Sequence, residues 1–481
     1  MSESENHFRV TLQLTLTSAL TFLEGLDHNP VGATVDLPTL RRRLAKPLGI
    51  TGLAPERVVE ELVRDVEGGI LGSAGGRFFG WVIGGSLPAA LAADWLTATW
   101  DQNAALHACA PAAAVVEEVA GAWLKDLLGL PQHASFALTT GCQMAHVTCL
   151  AAARHALLAR QGWDVEEKGL SGSPRLRILT SSERHGSIDR AVRLLGIGRE
   201  QVIDLPADEQ GRIVLTTLKA ALGEQAKQAA PTIVLLQAGD INIGAYDDFE
   251  QVVPLARHYG AWVHVDGAFG LWAKASPSFR HLLRGAEGAD SWATDGHKWL
   301  NVPYDCGYAF VADPEAHRGA LSHRAPYITH DQNARDQIDW NPEWSRRGRG
   351  FATYAALRQL GAKGVEELIE RSCAHARSLV LQVGALPGAE VLWIPVLNQG
   401  LVRFLDTAAS ATETDHDRRT DEVIAALQTT GEAFFAGTTW RGRRAMRVSV
   451  CNWRTNETDV ARAVGALESI LKTHVVCSIN S

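Results

Sequence analysis

The spacing of apolar and polar residues changes character twice along this chain. Over residues 9–75 it has the period of amphipathic helices broken by polar turns. Val10-Thr11-Leu12-Gln13-Leu14-Thr15 runs on into Leu20-Thr21-Phe22-Leu23, and Glu56 to Val66 repeats apolar residues at helical spacing. Glycines at 68, 69, 72, 75 and 76 end this segment and mark a boundary. Two helices rich in Ala and Leu are expected next, at 86–100 and 111–129. From about 135, short apolar runs alternate with helical stretches. The runs at 135–139, 177–181, 201–205, 232–237, 261–266 and 307–311 predict strands. Strands alternating with helices predict a mostly parallel sheet with helices on both faces. After about 350 the order changes again. Helices are expected at 351–360, 364–383, 418–428 and 456–472. Strands are expected around Val391-Leu392-Trp393-Ile394, Leu401-Val402-Arg403-Phe404 and Met446-Arg447-Val448-Ser449-Val450. The chain thus reads as an N-terminal helical arm, 1–75, a large α/β domain, 76–350, and a small C-terminal α+β domain, 351–481.

Composition narrows the partners. The 481 residues are 46% hydrophobic and 21% charged, ordinary for a water-soluble globular protein, and the net charge is −8. There is no long Lys/Arg run. Arg41-Arg42-Arg43 is short and reads as a solvated helix face, so neither nucleic acid nor an anionic membrane is an expected partner. Seven scattered cysteines do not form a disulfide framework or a zinc-spaced set, so no metal site is expected. Cys142 and Cys149 fall on one face of an expected helix, as small buried apolar residues do. Met1 to Val10 does not have the pattern of a signal peptide, and no strongly apolar stretch has the length of a membrane span. A reduced, cytoplasmic compartment is the expectation.

The chemistry gathers after the expected strands. Asp266 ends Trp262-Val263-His264-Val265-Asp266-Gly267-Ala268, and Lys298 lies in Asp295-Gly296-His297-Lys298-Trp299. A carboxylate ending a buried strand, with a lysine on a later turn, suits pyridoxal 5'-phosphate (PLP). The amine forms the Schiff base and the carboxylate keeps the pyridine nitrogen protonated. Burial is expected to depress the Lys298 pKa toward the free amine. Thr139-Thr140-Gly141-Cys142 lies between a strand and a helix, where backbone amides bind dianions. It is either the phosphate cradle or an ordinary helix cap. His185, in Ser181-Ser182-Glu183-Arg184-His185-Gly186-Ser187, either stacks on the ring or is structural. Ala268 would pack its methyl on the opposite ring face. No Walker-type or dinucleotide glycine pattern follows an expected strand, which counts against a nucleotide-binding sheet.

The same residues resemble the group II PLP-dependent amino acid decarboxylases, which include aromatic amino acid, histidine, glutamate and cysteine sulfinate decarboxylases. The similarity spans almost the whole chain: Gly76-Arg77-Phe78-Phe79-Gly80-Trp81, Ala110-Pro111, Glu117-Glu118 with Trp123-Leu124, His264-Val265-Asp266-Gly267-Ala268, His297-Lys298-Trp299, Arg447-Val448-Ser449 and Asn452-Trp453-Arg454-Thr455. The resemblance implies fold type I of the PLP-dependent transferases and a homodimer that the N-terminal arm wraps. Its implied reaction is decarboxylation of an L-amino acid to amine and CO2 through a quinonoid. It implies Lys298 as the cofactor anchor, Asp266 at the pyridine nitrogen and His185 stacked on the ring. It puts Thr140, Gly141, Cys142 and His297 around the phosphate, and Ala268 under the ring.

Three positions depart from the family pattern. Gly296 stands where Pro or Ala is common. Asp295 replaces an Asn of the aromatic decarboxylases; a carboxylate near a phosphate would repel it, so Asp295 is expected to face elsewhere or to be paired. The loop expected at 328–342 lacks the family's tyrosine. It holds His330, Asp331, Asp336, Asp339 and Trp340, with Tyr327 just before it. A PLP-dependent aldehyde synthase or C–C lyase on the same scaffold, or a non-catalytic PLP-binding protein, are the competing readings. For the substrate, Phe79, Trp81, Trp100 and the 97–107 segment are either pocket or core. Arg346, Arg347 and Arg349 either receive a substrate carboxylate or form salt bridges.

Overall fold

The computed structural model describes residues 3–323 and 334–479. Its middle region forms seven strands: β1 Ser135–Thr139, β2 Arg177–Ser181, β3 Val202–Leu205, β4 Thr232–Gln237, β5 Trp262–Asp266, β6 Ser291–Asp295 and β7 Gly307–Val311. They make one sheet in the order β1-β7-β6-β5-β4-β2-β3. β2 to β6 are parallel, and β7 runs antiparallel to both of its neighbours, β1 and β6. Helices cover both faces, so side chains on both sides of a strand are buried. In β4, Val234 and Leu236 pack into one apolar cluster while Ile233 and Leu235 pack into the other. Each such fully buried side chain contributes about 1.5–3 kcal/mol.

β6 is absent from the sequence expectation. Ser291-Trp292-Ala293-Thr294-Asp295 has too few strongly apolar residues to read as a buried strand, yet all five positions are buried. Its polar side chains have partners inside the protein. Ser291 Oγ receives the Trp262 indole N–H at 2.9 Å, and Thr294 Oγ1 donates to Ala268 O at 3.4 Å.

Beyond residue 350 the two expected helices form one helical run, Gly350–Gly384, broken at Gly361, whose φ of 61° only glycine adopts readily. β8 Ala389–Trp393, β9 Gln399–Phe404, β10 Ala436–Trp440 and β11 Arg443–Ser449 form a second, antiparallel sheet in the order β10-β11-β9-β8. β10 is also missing from the expectation, because Ala-Gly-Thr-Thr-Trp has weak apolar alternation.

The glycine-rich stretch threads past this second sheet. Phe79 N–H donates to Phe434 O at 2.8 Å, and Ser449 N–H donates to Phe79 O at 3.1 Å. Phe79 is fully buried and stacks on Phe435, so it is core and not pocket wall. Before it come helices Glu3–Gly25, Leu37–Leu44 and Pro55–Val66. They leave Phe8, Leu12, Leu62 and the intervening Leu48, Ile50 and Leu53 exposed in the single chain. No described helix is long and apolar enough to cross a membrane.

Candidate active site

Four strand ends meet at one edge of the large sheet, where parallel sheets leave a crevice. β5 ends on Asp266. β6 ends on Asp295 and turns through His297 and Lys298. β1 leads through Thr140 and Gly141 into the helix Cys142–Ala159. β2 leads to His185, which caps the helix Gly186–Leu194. All eight residues expected from the sequence (Thr140, Gly141, Cys142, His185, Asp266, Ala268, His297 and Lys298) line one cavity of about 690 Å³. Close backbone approach shapes it. A Cβ on Gly307 would stand 2.8 Å from Cys142 N, so the start of β7 presses directly on the turn after β1.

Asp295 faces into this cavity and is paired. Its carboxylate lies 3.0 Å from Lys298 Nζ and 3.3 Å from His297 Nε2, and it accepts the Cys142 backbone N–H at 2.6 Å. This corrects the expectation for the lysine. Burial does work against its charge, but the Asp295 carboxylate, with Cys142 and Asp266 beyond it, raises the Lys298 pKa above its ordinary value. Lys298 is therefore held as an ammonium, ion-paired with Asp295.

Asp266 is held the other way. Burial favours its neutral form, yet His146, then His185 and Lys298, outweigh this and keep its pKa below the usual carboxylate range. One carboxylate oxygen also accepts the Ala268 N–H at 3.2 Å. Burial lowers the His185 pKa against the pull of Asp266, which favours a neutral ring, and Nδ1 accepts the Ser187 N–H at 3.2 Å. Burial likewise lowers His297 despite Asp295. Its Nδ1 accepts the Cys306 N–H at 3.1 Å, and its ring stacks on Tyr304 with centroids 4.3 Å apart. Burial, then Asp295 and Asp266, push the Cys142 thiol far up, so it remains a thiol.

This residue set fits PLP. It offers a buried amine, an ionised carboxylate on a second strand end and a neutral imidazole open to the cavity. It also offers a helix N-terminus whose N–H already takes an anionic oxygen, that of Asp295. Sequence reading noted Asp295 only as a departure, quoted His264 within a motif without giving it a role, and missed His146 and Tyr304. His146 carried one usable signal, its place four residues after Cys142 on the same helix face.

Other expectations are settled by their contacts. Arg346 pairs with Glu117 at 2.5 Å, Arg347 with Asp94 at 2.9 Å and Arg349 with Asp305 at 2.8 Å; none lines the cavity. Trp81 packs on Phe434 and Trp100 packs edge-on against Phe351, both away from the cavity lining. Within the 328–342 segment, Asp336 accepts the His107 N–H at 2.9 Å, Asp339 accepts the Ser322 hydroxyl at 2.6 Å and Trp340 packs on His317. Tyr327, His330 and Asp331 lie outside the described residues.

Comparisons with known proteins give the family. Residues 40–404 match the pyridoxal-dependent decarboxylase conserved domain. An aromatic-L-amino-acid decarboxylase of Bacillus atrophaeus is 25% identical over 450 residues, covering 92% of this chain and 91% of that protein. Tryptophan decarboxylase 1 of Oryza sativa subsp. japonica is 29% identical over 416 residues, covering 82% and 79%. The crystal structure of Oryza sativa TDC with PLP and tryptamine superposes with a TM-score of 0.90 at 25% identity, covering 97% of this chain and 98% of that one. A Rhodiola rosea 4-hydroxyphenylacetaldehyde synthase shares the fold at 20% identity with a TM-score of 0.86, covering 98% and 99%. The fold is type I of the PLP enzymes, and this chain belongs to the pyridoxal-dependent decarboxylase family, as a carboxy-lyase that works with pyridoxal 5'-phosphate.

Proposed function

We propose that this decarboxylase acts on an aromatic L-amino acid, releasing CO2 and the corresponding amine. The carrying observation is the Tyr304 ring, stacked on His297 and exposed, in a cavity that Phe269 and Ile241 also line. Arg346, Arg347 and Arg349, which could have received a second carboxylate, are each held by an acidic partner. The relatives named for aromatic amino acids and tryptophan support the same reading.

PLP supplies the electron sink for the pair left behind when the carboxylate departs as CO2. Lys298 would hold the cofactor through its amine, and the Asp295 carboxylate, 3.0 Å from Nζ, holds that side chain in place within the cavity. Asp266, ionised and buried, would hold the cofactor's ring nitrogen in its protonated form. His185, favoured as a neutral imidazole, would face the ring. The turn at Thr140, Gly141 and Cys142, with His297, would bind the phosphate at a helix N-terminus. Ala268 would give the ring an apolar neighbour.

The test is to incubate the purified protein with aromatic and acidic L-amino acids and quantify CO2, amine, aldehyde and peroxide. CO2 and amine from aromatic substrates alone are expected, with loss of turnover in Lys298→Ala. Preference for acidic amino acids would sink the substrate assignment. Aldehyde, ammonia and peroxide would favour the oxidative reading that the tyrosine-free 328–342 segment raises.

Two copies are proposed to assemble, each arm of residues 1–75 covering the other subunit. Phe8, Leu12, Leu48, Ile50 and Leu53 are exposed on the single chain, an apolar surface that needs a cover. Light scattering should give twice the chain mass, and removing residues 1–75 should leave aggregated or monomeric, inactive protein.

A further inference from the structure

Behind Asp266 lies a row of polar side chains that the cavity does not touch. Trp262, His264 and Asp266 alternate along β5 and so point to one face of the sheet. Ser291 is the register partner of His264 on β6. Cys142 and His146 lie four residues apart on the helix packed over this face. The result is a continuous chain of contacts. Trp262 Nε1 lies 2.9 Å from Ser291 Oγ, Ser291 Oγ 2.9 Å from His264 Nδ1, His264 Nε2 2.9 Å from His146 Nδ1, and His146 Nε2 3.5 Å from Asp266 Oδ1. His146, His264 and Ser291 have no exposed surface, and Trp262 almost none. Burying this many polar atoms is costly unless each is satisfied, and each of them is.

The polarity of the chain follows from its ends. An indole N–H can only donate, so Ser291 Oγ accepts from Trp262 and has its own proton to give. Burial, then the neighbouring His146, take the His264 pKa down to about 3, so His264 carries one ring proton. With Ser291 donating to His264 Nδ1, that proton sits on Nε2 and points at His146 Nδ1. A single proton on His146 then sits on Nε2, between Cys142 Sγ at 3.3 Å and Asp266 Oδ1 at 3.5 Å. The opposite polarity would turn a bare nitrogen lone pair toward the carboxylate, which repels it.

We propose that Trp262, Ser291, His264 and His146 form a buried donor chain that orients the Asp266 carboxylate toward the cofactor's ring nitrogen, with His146 and His264 as positioning residues for the reaction. This rests on the reading of Asp266 as the partner of that nitrogen. The other groups facing Asp266 are the Cys142 thiol, His185 and Lys298. Compared with them, His146 has the largest effect in keeping Asp266 ionised against the cost of burial. His146 Nε2 also lies 3.3 Å from Cys142 Sγ, which accounts for the tight Cys142, His146, Asp266 cluster without an ion.

The test reconstitutes the full-length enzyme with PLP carrying a 15N-labelled ring nitrogen. It follows that nitrogen's chemical shift from pH 6 to 9, together with the cofactor dissociation constant. Wild type should keep the ring nitrogen protonated throughout. His146→Leu should lose that protonation as pH rises and bind cofactor about tenfold more weakly, the worth of one charge-assisted hydrogen bond. His146→Asn, which can offer an N–H to Asp266 and accept from His264, should restore both. A wild-type shift in His146→Leu, or an Asn variant as impaired as Leu, would overturn the chain. Should His146→Leu fail to fold, Ser291→Ala serves instead: it removes the donor that sets the His264 tautomer, and an unchanged pH profile there overturns the chain equally. Asp266→Asn separates the two ideas. If it leaves shift and affinity unchanged, the Asp266 reading fails; if it is impaired while His146→Leu is normal, only the donor chain fails.

Discussion

The Asp295 carboxylate stands 3.0 Å from Lys298 Nζ, an ion pair between the end of a strand and a lysine one turn later. The pair raises the lysine pKa over the opposing effect of burial. Its stabilisation is therefore fully present below the ordinary lysine value and is lost as pH rises through the higher folded value. Asp295→Asn should cost about 2–4 kcal/mol at pH 8, with the difference from wild type narrowing at strongly alkaline pH, read from urea midpoints. The same variant should capture PLP faster at neutral pH, because more of its lysine is the free amine; stopped-flow absorbance measures this.

His317 predicts a stability loss in acid. Its ring bridges Ser135 Oγ at 2.8 Å and Trp340 O at 2.9 Å, and burial takes its pKa down to about 3. The unfolded chain binds a proton near pH 6.5 that the folded chain refuses. The stability contribution is thus complete above pH 6.5 and declines as pH falls toward 3, by roughly 1.4 kcal/mol per unit. His317→Gln should be less stable at pH 7 but show a flatter decline between pH 6.5 and 4 in denaturant titrations.

Gly307 carries a steric prediction. A methyl group there would meet Cys142 N at 2.8 Å and the Gly141 backbone closer still, with no flexible side chain to yield. Gly307→Ala should shift the turn after β1 and lose cofactor affinity by about tenfold or more, while unfolding costs stay within about 1–3 kcal/mol. An unchanged PLP dissociation constant would contradict this account of the turn.

Glu117 and Arg346 make an ion pair with essentially no exposure. Removing one partner strands the other charge. Arg346→Met should therefore cost about 3–5 kcal/mol, whereas the double variant with Glu117→Met should recover most of it. Chemical denaturation of the two singles and the double completes the cycle.

Much of this architecture was legible because apolar runs bounded by turns are a local signal. The strands that hold Asp266 and Thr139 read clearly, as did the helix beginning at Cys142. β6 did not, since Ser291, Thr294 and Asp295 look like loop residues until neighbouring strands supply their partners. The eight expected site residues were named from residue type, their order after strands and the family resemblance, and all line the same cavity. Three inferences that depended on surroundings needed revision or resolution. Lys298 gains a carboxylate that reverses its pKa shift, the three arginines near 347 are salt-bridged, and Phe79 is core.

Local sequence by itself determined most of the elements, though not β6 or β10, and the placing of an amine at Lys298 and a carboxylate at Asp266 after expected strands, which points to the cofactor class, because these follow from side-chain chemistry and periodicity. Tertiary structure alone decided which charges meet. Asp295 against Lys298, and His146 and His264 behind Asp266, come together from separate strands and a helix. Protonation depends on burial and on neighbours a few ångströms away in space, and sequence distance does not encode either.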